Sequence, residues 1–457
     1  MAELAVGDHS CVSTVGISDL GQRGKITVKP YIVKFGLAFF VAAIGLVADD
    51  ATAQTVQFDP GFGRNELFLR KFDVAVSERP QPQFDPVPIY NQGSFLFLET
   101  AAVAELTDNV FATKDDRVSD LVMQANVNAR FVTDWRRHRV NAYASGTLRR
   151  YAETTTENSE LFGVGAAGIL EIDEKGGSLQ AGGQVRRLQV SRTNTESPFS
   201  SLLPIFYTQA NAFVGATYGG QQLHFSAVGA YERQRFDTGN DVSQTDEFRD
   251  RDIYSVKGVA EYAVVPAVSA KIAVEGQRRD FIRNGVLGDR DSDSIEITAG
   301  ANFEMAVLMR ARVDVGYISR SFKNPNFVDV NGLIYDARLE YFPTRLVTIT
   351  AAARRSVSES SRIGVGAFIA DTYSMKVDWE YLRNVIVTSQ FYTGHDSFQG
   401  LDLDYDRIGG SVGVRYRYSR AIEFNGLASV EQRSADGTVD AREFFLSVVK
   451  FSLAYKF

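Results

Sequence analysis

The sequence predicts an all-β protein: a closed antiparallel transmembrane β-barrel of about 18 strands, with 16–18 as the range of the count. Three observations predict it. From Phe95 onward the chain is a succession of runs in which apolar and polar side chains alternate, the two-residue period of a strand with one apolar face. The connections alternate too, long and polar after odd runs, short after even ones. Aromatic residues recur on the apolar face at one end of nearly every even run.

At the front, Lys25, Lys29 and Lys34 precede an uncharged apolar run from Phe35 to Ala48. That run is too short to span a membrane as a helix, and Ala51-Thr52-Ala53 follows it as a small-residue cleavage site. Residues 1–53 are therefore expected to be a signal peptide and leader, with Gln54 as the mature start. The only cysteine, Cys11, lies in this leader, so the mature chain has no thiol, which suits export. Residues 54–92 hold five of the eleven prolines and repeat Phe-Asp-Pro at 58–60 and 84–86. Proline at that density argues against regular sheet and helix alike. The segment is expected to be a periplasmic N-terminal extension or a plug in the barrel mouth, with the barrel occupying 93–457.

Eighteen runs fill the rest: 95–106, 120–133, 138–151, 160–172, 178–191, 207–218, 223–236, 252–263 and 268–281, then 293–303, 309–320, 331–341, 346–357, 371–381, 385–395, 404–418, 422–433 and 443–457. The run at 160–172 is Gly- and Ala-rich and the least clearly patterned. An even number leaves both termini at one end, as bacterial outer-membrane barrels require. Loops such as 107–119, 192–206 and 237–251 alternate with turns such as Gly219–Gln221, Phe342–Arg345 and Leu382–Asn384. Mean composition hides all this. The hydrophobic fraction is 44% and mean hydropathy is slightly negative, because a barrel interleaves its membrane-facing residues with polar ones.

The last run carries the most. Phe451, Leu453, Tyr455 and Phe457 share one face, with Lys450, Ser452 and Lys456 on the other. An amphipathic strand ending on an aromatic residue resembles the terminal assembly signal of outer-membrane barrels. It implies the barrel assembly machinery as a partner and integral outer-membrane localisation, beside lipid and lipopolysaccharide.

Alternation assigns the faces. The membrane-interface aromatics at the short-turn ends are expected to be Tyr218, Tyr262, Phe303, Tyr341, Tyr381 and Tyr418, joined by Phe131, since ring bodies are apolar and phenol tips want water. Only the run ending in Ile172 lacks one. The opposite girdle would include Tyr231, Tyr254, Tyr317, Tyr335, Tyr373 and Phe391. Candidate lumen-lining residues are Arg130, Tyr143, Arg149, Arg312 and Arg338, together with Glu340, Lys376, Asp378, Arg407 and Arg415. Inward bases and acids balance, so strong ion selectivity is not indicated. Such charges either pair laterally to keep the wall polar or form a track of guanidinium forks and rings (Tyr143, Phe213, Tyr392) for sugar hydroxyls and uronates.

Other chemistries find little support. The mature chain keeps three histidines, His138, His224 and His395. Strand polarity separates the first two from the third by about 25 Å, the height of the apolar band. Removing residues 1–53 changes the formal charge from −7 to −6 (four bases and five acids lost), which gives no footprint for nucleic acid. Asp289–Asp293 spaces carboxylates like the start of a calcium loop but lacks its glycine and distal glutamate. Asp402, Asp404 and Asp406 read as solvated rim charge rather than a metal site. No catalytic residue, cofactor or metal is expected.

Residues 93–151 carry a resemblance. Gly93–Phe95, Thr107–Phe111, Ser119–Leu121, Asp134–His138, Tyr143 and Arg150-Tyr151 resemble the beta-barrel porin 2 family, proteobacterial outer-membrane barrels often encoded beside exopolysaccharide systems. Glu78–Pro80 and Phe84–Pro86 are similar to alphaproteobacterial members. Asp108-Asn109 is the most characteristic piece, with Leu106 and Thr107 where members carry Tyr-Asp. The resemblance implies a passive conduit for exopolysaccharide working with a periplasmic polysaccharide export protein, and brings no catalytic residues. A general diffusion porin and a plugged structural or adhesion barrel are the alternatives.

Overall fold

A computed structural model describes residues 75–457 apart from 78, 134, 136, 173–175, 196, 198–202, 221, 238–245, 283–287, 306–307, 363, 438 and 440. The chain divides into two compact units, residues 1–41 and 42–457, and the described residues belong to the second. The expected leader and the first Phe-Asp-Pro lie outside the described residues.

Nineteen strands are described. β1 is Ile89–Asn91. The next nine are β2 Ser94–Thr107, β3 Asp120–Thr133, β4 His138–Tyr151, β5 Ser159–Glu171, β6 Ser178–Gln189, β7 Phe206–Gly219, β8 Leu223–Phe236, β9 Arg251–Val265 and β10 Val268–Phe281. The last nine are β11 Ser292–Met305, β12 Met309–Phe322, β13 Val330–Thr344, β14 Val347–Glu359, β15 Ala367–Leu382, β16 Val385–Phe398, β17 Leu403–Arg417, β18 Ile422–Gly437 and β19 Phe444–Lys456. From β2 to β19 each strand pairs antiparallel with its sequence neighbours, and β19 pairs with β2 from Val448↔Thr107 to Lys456↔Glu99. Phe457 N–H donates to Leu98 O at 2.8 Å and Leu98 N–H to Phe457 O at 3.1 Å. The result is a closed 18-stranded barrel with no free edge.

The wall is inside out relative to a soluble sandwich. Val127 on β3 is 55% exposed while Val122, of opposite parity on the same strand, is 0% exposed. Leu121, Met123 and Phe131 are exposed as well, so the odd face of β3 is the apolar outer one. The six named interface aromatics are all exposed on that surface. They sit near the short-turn end, as the registers Leu223↔Tyr262, Val268↔Phe303 and Met309↔Tyr341 require. Trp379 packs edge-on to Tyr381, and Tyr455 to Phe457. At the other end the outer face carries Tyr231 against Tyr254 and the Tyr335–Tyr373 hydroxyl pair at 2.6 Å. Just beyond, it turns ionic: Arg355 grips Asp371 through two 2.7 Å bonds, and His395 Nδ1 lies 2.8 Å from Asp406. That switch marks the upper limit of the apolar band. Ile297→Arg, at mid-height on the outer face of β11, is expected to cost about 2–4 kcal/mol in urea unfolding from vesicles. Thr298→Arg next door, facing the lumen, is expected to cost far less.

Three expectations are corrected. Despite its prolines, the N-terminal segment does contain a strand: β1 directly follows Pro88 and pairs with the first residues of β2, where an edge tolerates a neighbouring proline. Phe342–Thr344 is the end of β13, not a turn; a register shift between Tyr341 and Thr344 accommodates Pro343. β15 begins at Ala367 and β18 ends at Gly437, each four residues beyond the expected limit. The ladder continues there above the apolar band, where no hydrophobic alternation marks it.

Candidate functional site

The lumen is built by the inward parity of every strand. Arg130 stacks its guanidinium 4.4 Å from the Phe97 ring centre, and Tyr143 donates its hydroxyl to Gln184 at 2.7 Å. Gly409 gives Tyr392 room to lie flat on the wall, since a Cβ there would overlap the ring. Most other expected lumen residues lie in lateral ion pairs. Arg149 reaches Glu105 at 3.3 Å, Arg312 Asp314 at 2.7 Å and Arg338 Glu340 at 2.8 Å. Lys376 reaches Asp378 at 2.8 Å, Arg407 Asp396 at 2.8 Å and Arg415 Glu423 at 3.8 Å. These pairs run along the wall, as cross-strand and same-face neighbours do. They fix side chains while adding little stability each.

Two segments leave the wall and enter the bore. At the short-turn end, residues 75–77 and 79–85 lie across the mouth. Val76, 1% exposed, donates its backbone N–H to Thr348 Oγ1 at 3.0 Å. Arg79 pairs with buried Glu380 at 2.9 Å, and Arg417 reaches both Gln81 and Asp85, at 3.3 and 3.7 Å. At the long-loop end, the β6–β7 connection folds inward and reaches strands almost opposite its own. Thr195 donates to Asp396 at 2.7 Å, Arg433 to Thr193 O at 3.1 Å and Arg442 to Arg192 O at 2.7 Å. The loop's base is pinned by a buried pair, Arg192–Glu157, at 2.5 Å. Arg433 also lies 4.7 Å from the ring centres of both Tyr405 and Phe444. Burial, with Arg433 and Arg192 close by, pulls the loop residue Arg442 down to about 10.

Two cavities lie between these closures. One of about 550 Å³ is lined by β2–β6 and β16–β19, with Glu105, Arg149, Arg192, Tyr392 and Arg415 among its walls. The other, about 440 Å³, lies along β9–β14.

Compared with known families, residues 81–457 match the family described as "Putative beta-barrel porin 2". The chain belongs to that family. A beta-barrel porin 2 chain is a porin-like outer-membrane barrel, and this one has the closed antiparallel wall and apolar outer band of that class. No curated protein matches. Among solved structures, OpdL of Pseudomonas aeruginosa is similar at 11% identity and TM-score 0.42, over 80% of this chain and 98% of that one. OccAB2 of Acinetobacter baumannii is similar at 10% identity and TM-score 0.45, over 82% and 99%. The ferric enterobactin receptor PfeA of P. aeruginosa follows at 7% identity and TM-score 0.44, over 79% and 80%. At these values the similarities carry no argument about activity.

Within the porin 2 barrel, His138 and His224 open β4 and β8 at the short-turn end, and His395 lies near the other end of β16. Adjacent Asp396 and Ser397 are not its partners; Asp406 across the ladder is. Asp291 is tied to Lys323 at 2.7 Å and Asp293 to Arg278 at 2.8 Å. Among the described residues no group of three or more acids, histidines or cysteines is arranged to hold a metal. Sequence reasoning missed Arg192, Glu157, Arg433, Arg442 and Thr348 as lumen-shaping residues. Their partners lie some 35 to 272 positions away, and the only local hint was the arginine density of the loops.

Proposed function

We propose that this barrel is a passive conduit for a secreted exopolysaccharide, fed from the periplasm by a polysaccharide export protein and inserted by the barrel assembly machinery beside lipopolysaccharide. The observation that supports it best is the character of the two closures. Both are made of polar bonds and ion pairs, Arg79–Glu380 at one mouth and Thr195–Asp396 at the other, which water or a polyhydroxylated chain can replace. A conduit needs a bore closed at rest and no catalytic chemistry. The N-terminal segment, on this reading, lies on the periplasmic side, where a delivery partner would displace it.

A general diffusion porin is the second reading, supported by the balanced inward charge. A structural or adhesion barrel is the third. It draws on the buried apolar cluster of Val365, Phe368, Phe398, Leu403 and Tyr405 at the long-loop end. Deleting the gene and measuring polymer outside the cell and in the periplasm separates the three. Loss of surface polymer with periplasmic accumulation, restored by the intact gene, is the expected result. Unchanged polymer with slower uptake of small sugars would leave the diffusion porin. Neither change would leave the structural barrel.

A further inference from the structure

The smaller cavity is lined by seven bases against four acids, a greater excess than the five against four of the larger cavity. Arg320 on β12 is 1% exposed, and its Nε and Nη1 have no hydrogen-bond partner among the described residues. Arg279 on β10 leaves its Nη1 without one, and Arg251 on β9 its Nε. One carboxylate, Glu359 at the end of β14, pairs with both Arg251 and Arg279. Arg320 and Arg290 also lie within its electrostatic reach. Arg290 donates to the carbonyls of Ser360 and Phe248.

Most acids nearby are engaged, Glu296 in the cavity lining being the exception among the described residues. Glu275 is bound by Lys257 at 2.9 Å, Glu232 accepts from Gln234 at 2.6 Å, and Asp314 is shared by Lys271 and Arg312. Around the larger cavity, Arg149 and Lys450 share Glu105, and Arg415 and Lys456 share Glu423. A buried guanidinium with open donors and a deficit of anions is costly to keep. It is what an oxyanion site has before its ligand arrives, because the planar fork matches carboxylate oxygens in pairs.

We infer that the wall of β9–β14 holds a binding site for an acidic sugar, with Arg320 and Arg279 taking its carboxylate. The cavity has the size of a small-ligand pocket, about 440 Å³. Beside Arg279 and Arg320 it presents Gln277, Ser294, Thr298 and Ser356, which are hydrogen-bonding groups suited to ring hydroxyls. Ser294 sits directly across the ladder from Arg320. The site goes beyond the conduit reading and does not depend on it, since either a polymer or a small solute can carry the uronate.

The test is calorimetric titration of the full-length chain folded in detergent, with galacturonate, tri-galacturonate, glucose, acetate and inorganic phosphate as separate probes. Galacturonate is expected to bind while glucose does not. Arg320→Met is expected to weaken it about tenfold to a hundredfold, the loss of a charge-assisted contact, whereas Arg278→Gln, at the outward arginine beside Arg279 that pairs with Asp293, leaves it unchanged. Arg320→Met is also expected to hold or raise the urea midpoint, because it removes an uncompensated buried charge. A purely structural arginine would instead lower the midpoint without a binding change. Should Arg320→Met fail to fold, Arg279→Gln supplies the same comparison. Tighter tri-galacturonate than galacturonate points to a polymer as the source, and equal affinity to a free uronate. Acetate or phosphate binding as well as galacturonate overturns the sugar assignment, and unaltered galacturonate binding in a folded Arg320→Met overturns the site. Both results leave the export measurement above untouched, so the two readings fail separately.

Discussion

Replacing residues 191–204 with a short glycine-serine turn is expected to raise the single-channel conductance of the barrel severalfold in a planar bilayer. The segment bonds to Asp396, Arg433 and Arg442 nearly across the bore, and without it each opening of the strap at the other mouth connects the two ends of an 18-stranded wall wide enough for a water-filled channel. The Arg192–Glu157 pair is lost with it, leaving Glu157 buried and unpaired at 1% exposure, so Glu157→Gln is made in the same variant. A point substitution gives a graded version. Arg433→Ala removes the bond to Thr193 O and the ring contacts with Tyr405 and Phe444, and is expected to convert quiet traces into frequent brief openings. Unchanged conductance in the loop deletion would mean the bore is blocked elsewhere, with residues 75–85 the first place to look.

Removing Tyr455–Phe457 is expected to abolish surface-exposed barrel in cells while leaving folding into synthetic vesicles largely intact. The three residues contribute the last rungs of the β19–β2 seam, including the reciprocal bonds between Phe457 and Leu98. Two such bonds are worth about 2 kcal/mol together, a modest part of the stability of a barrel with eighteen ladders. On the proposal that assembly machinery reads the aromatic terminus as an address, its loss matters out of proportion to that energy. Equal losses in cells and in vesicles would instead make the tail a stability element. Heat-modifiable gel migration measures both.

The outline of the fold was legible because a membrane wall imposes its period on every residue. β3, β4, β8 and β10 end where alternation alone puts them. Legibility stopped where the lipid stops. The first residues of β15 and the last of β18 stand above the apolar band, where both faces are polar and pairing continues without a pattern. The lumen followed the same division. Strand parity places Arg130, Tyr143 and Arg407 on the inner face, but not the partners they find there. Arg192 looked like any loop arginine, and its bond to Glu157 depends on how two connections fold toward each other. Arg320 was invisible for a different reason: alternation gives a residue its face, whereas an unmatched charge is a property of the whole neighbourhood.

The two closures at opposite mouths have a consequence for leakage. The strap rests on Thr348, Glu380 and Arg417, and the loop on Asp396, Arg433 and Arg442, with no residue in common. Where two such barriers open independently, the chance of finding both open at once is a product of probabilities. With each open about 1% of the time, a typical minor-state population, a through-path exists about one part in ten thousand. On the conduit reading, a wide bore is thereby kept closed by joint probability, with neither latch needing to be strong.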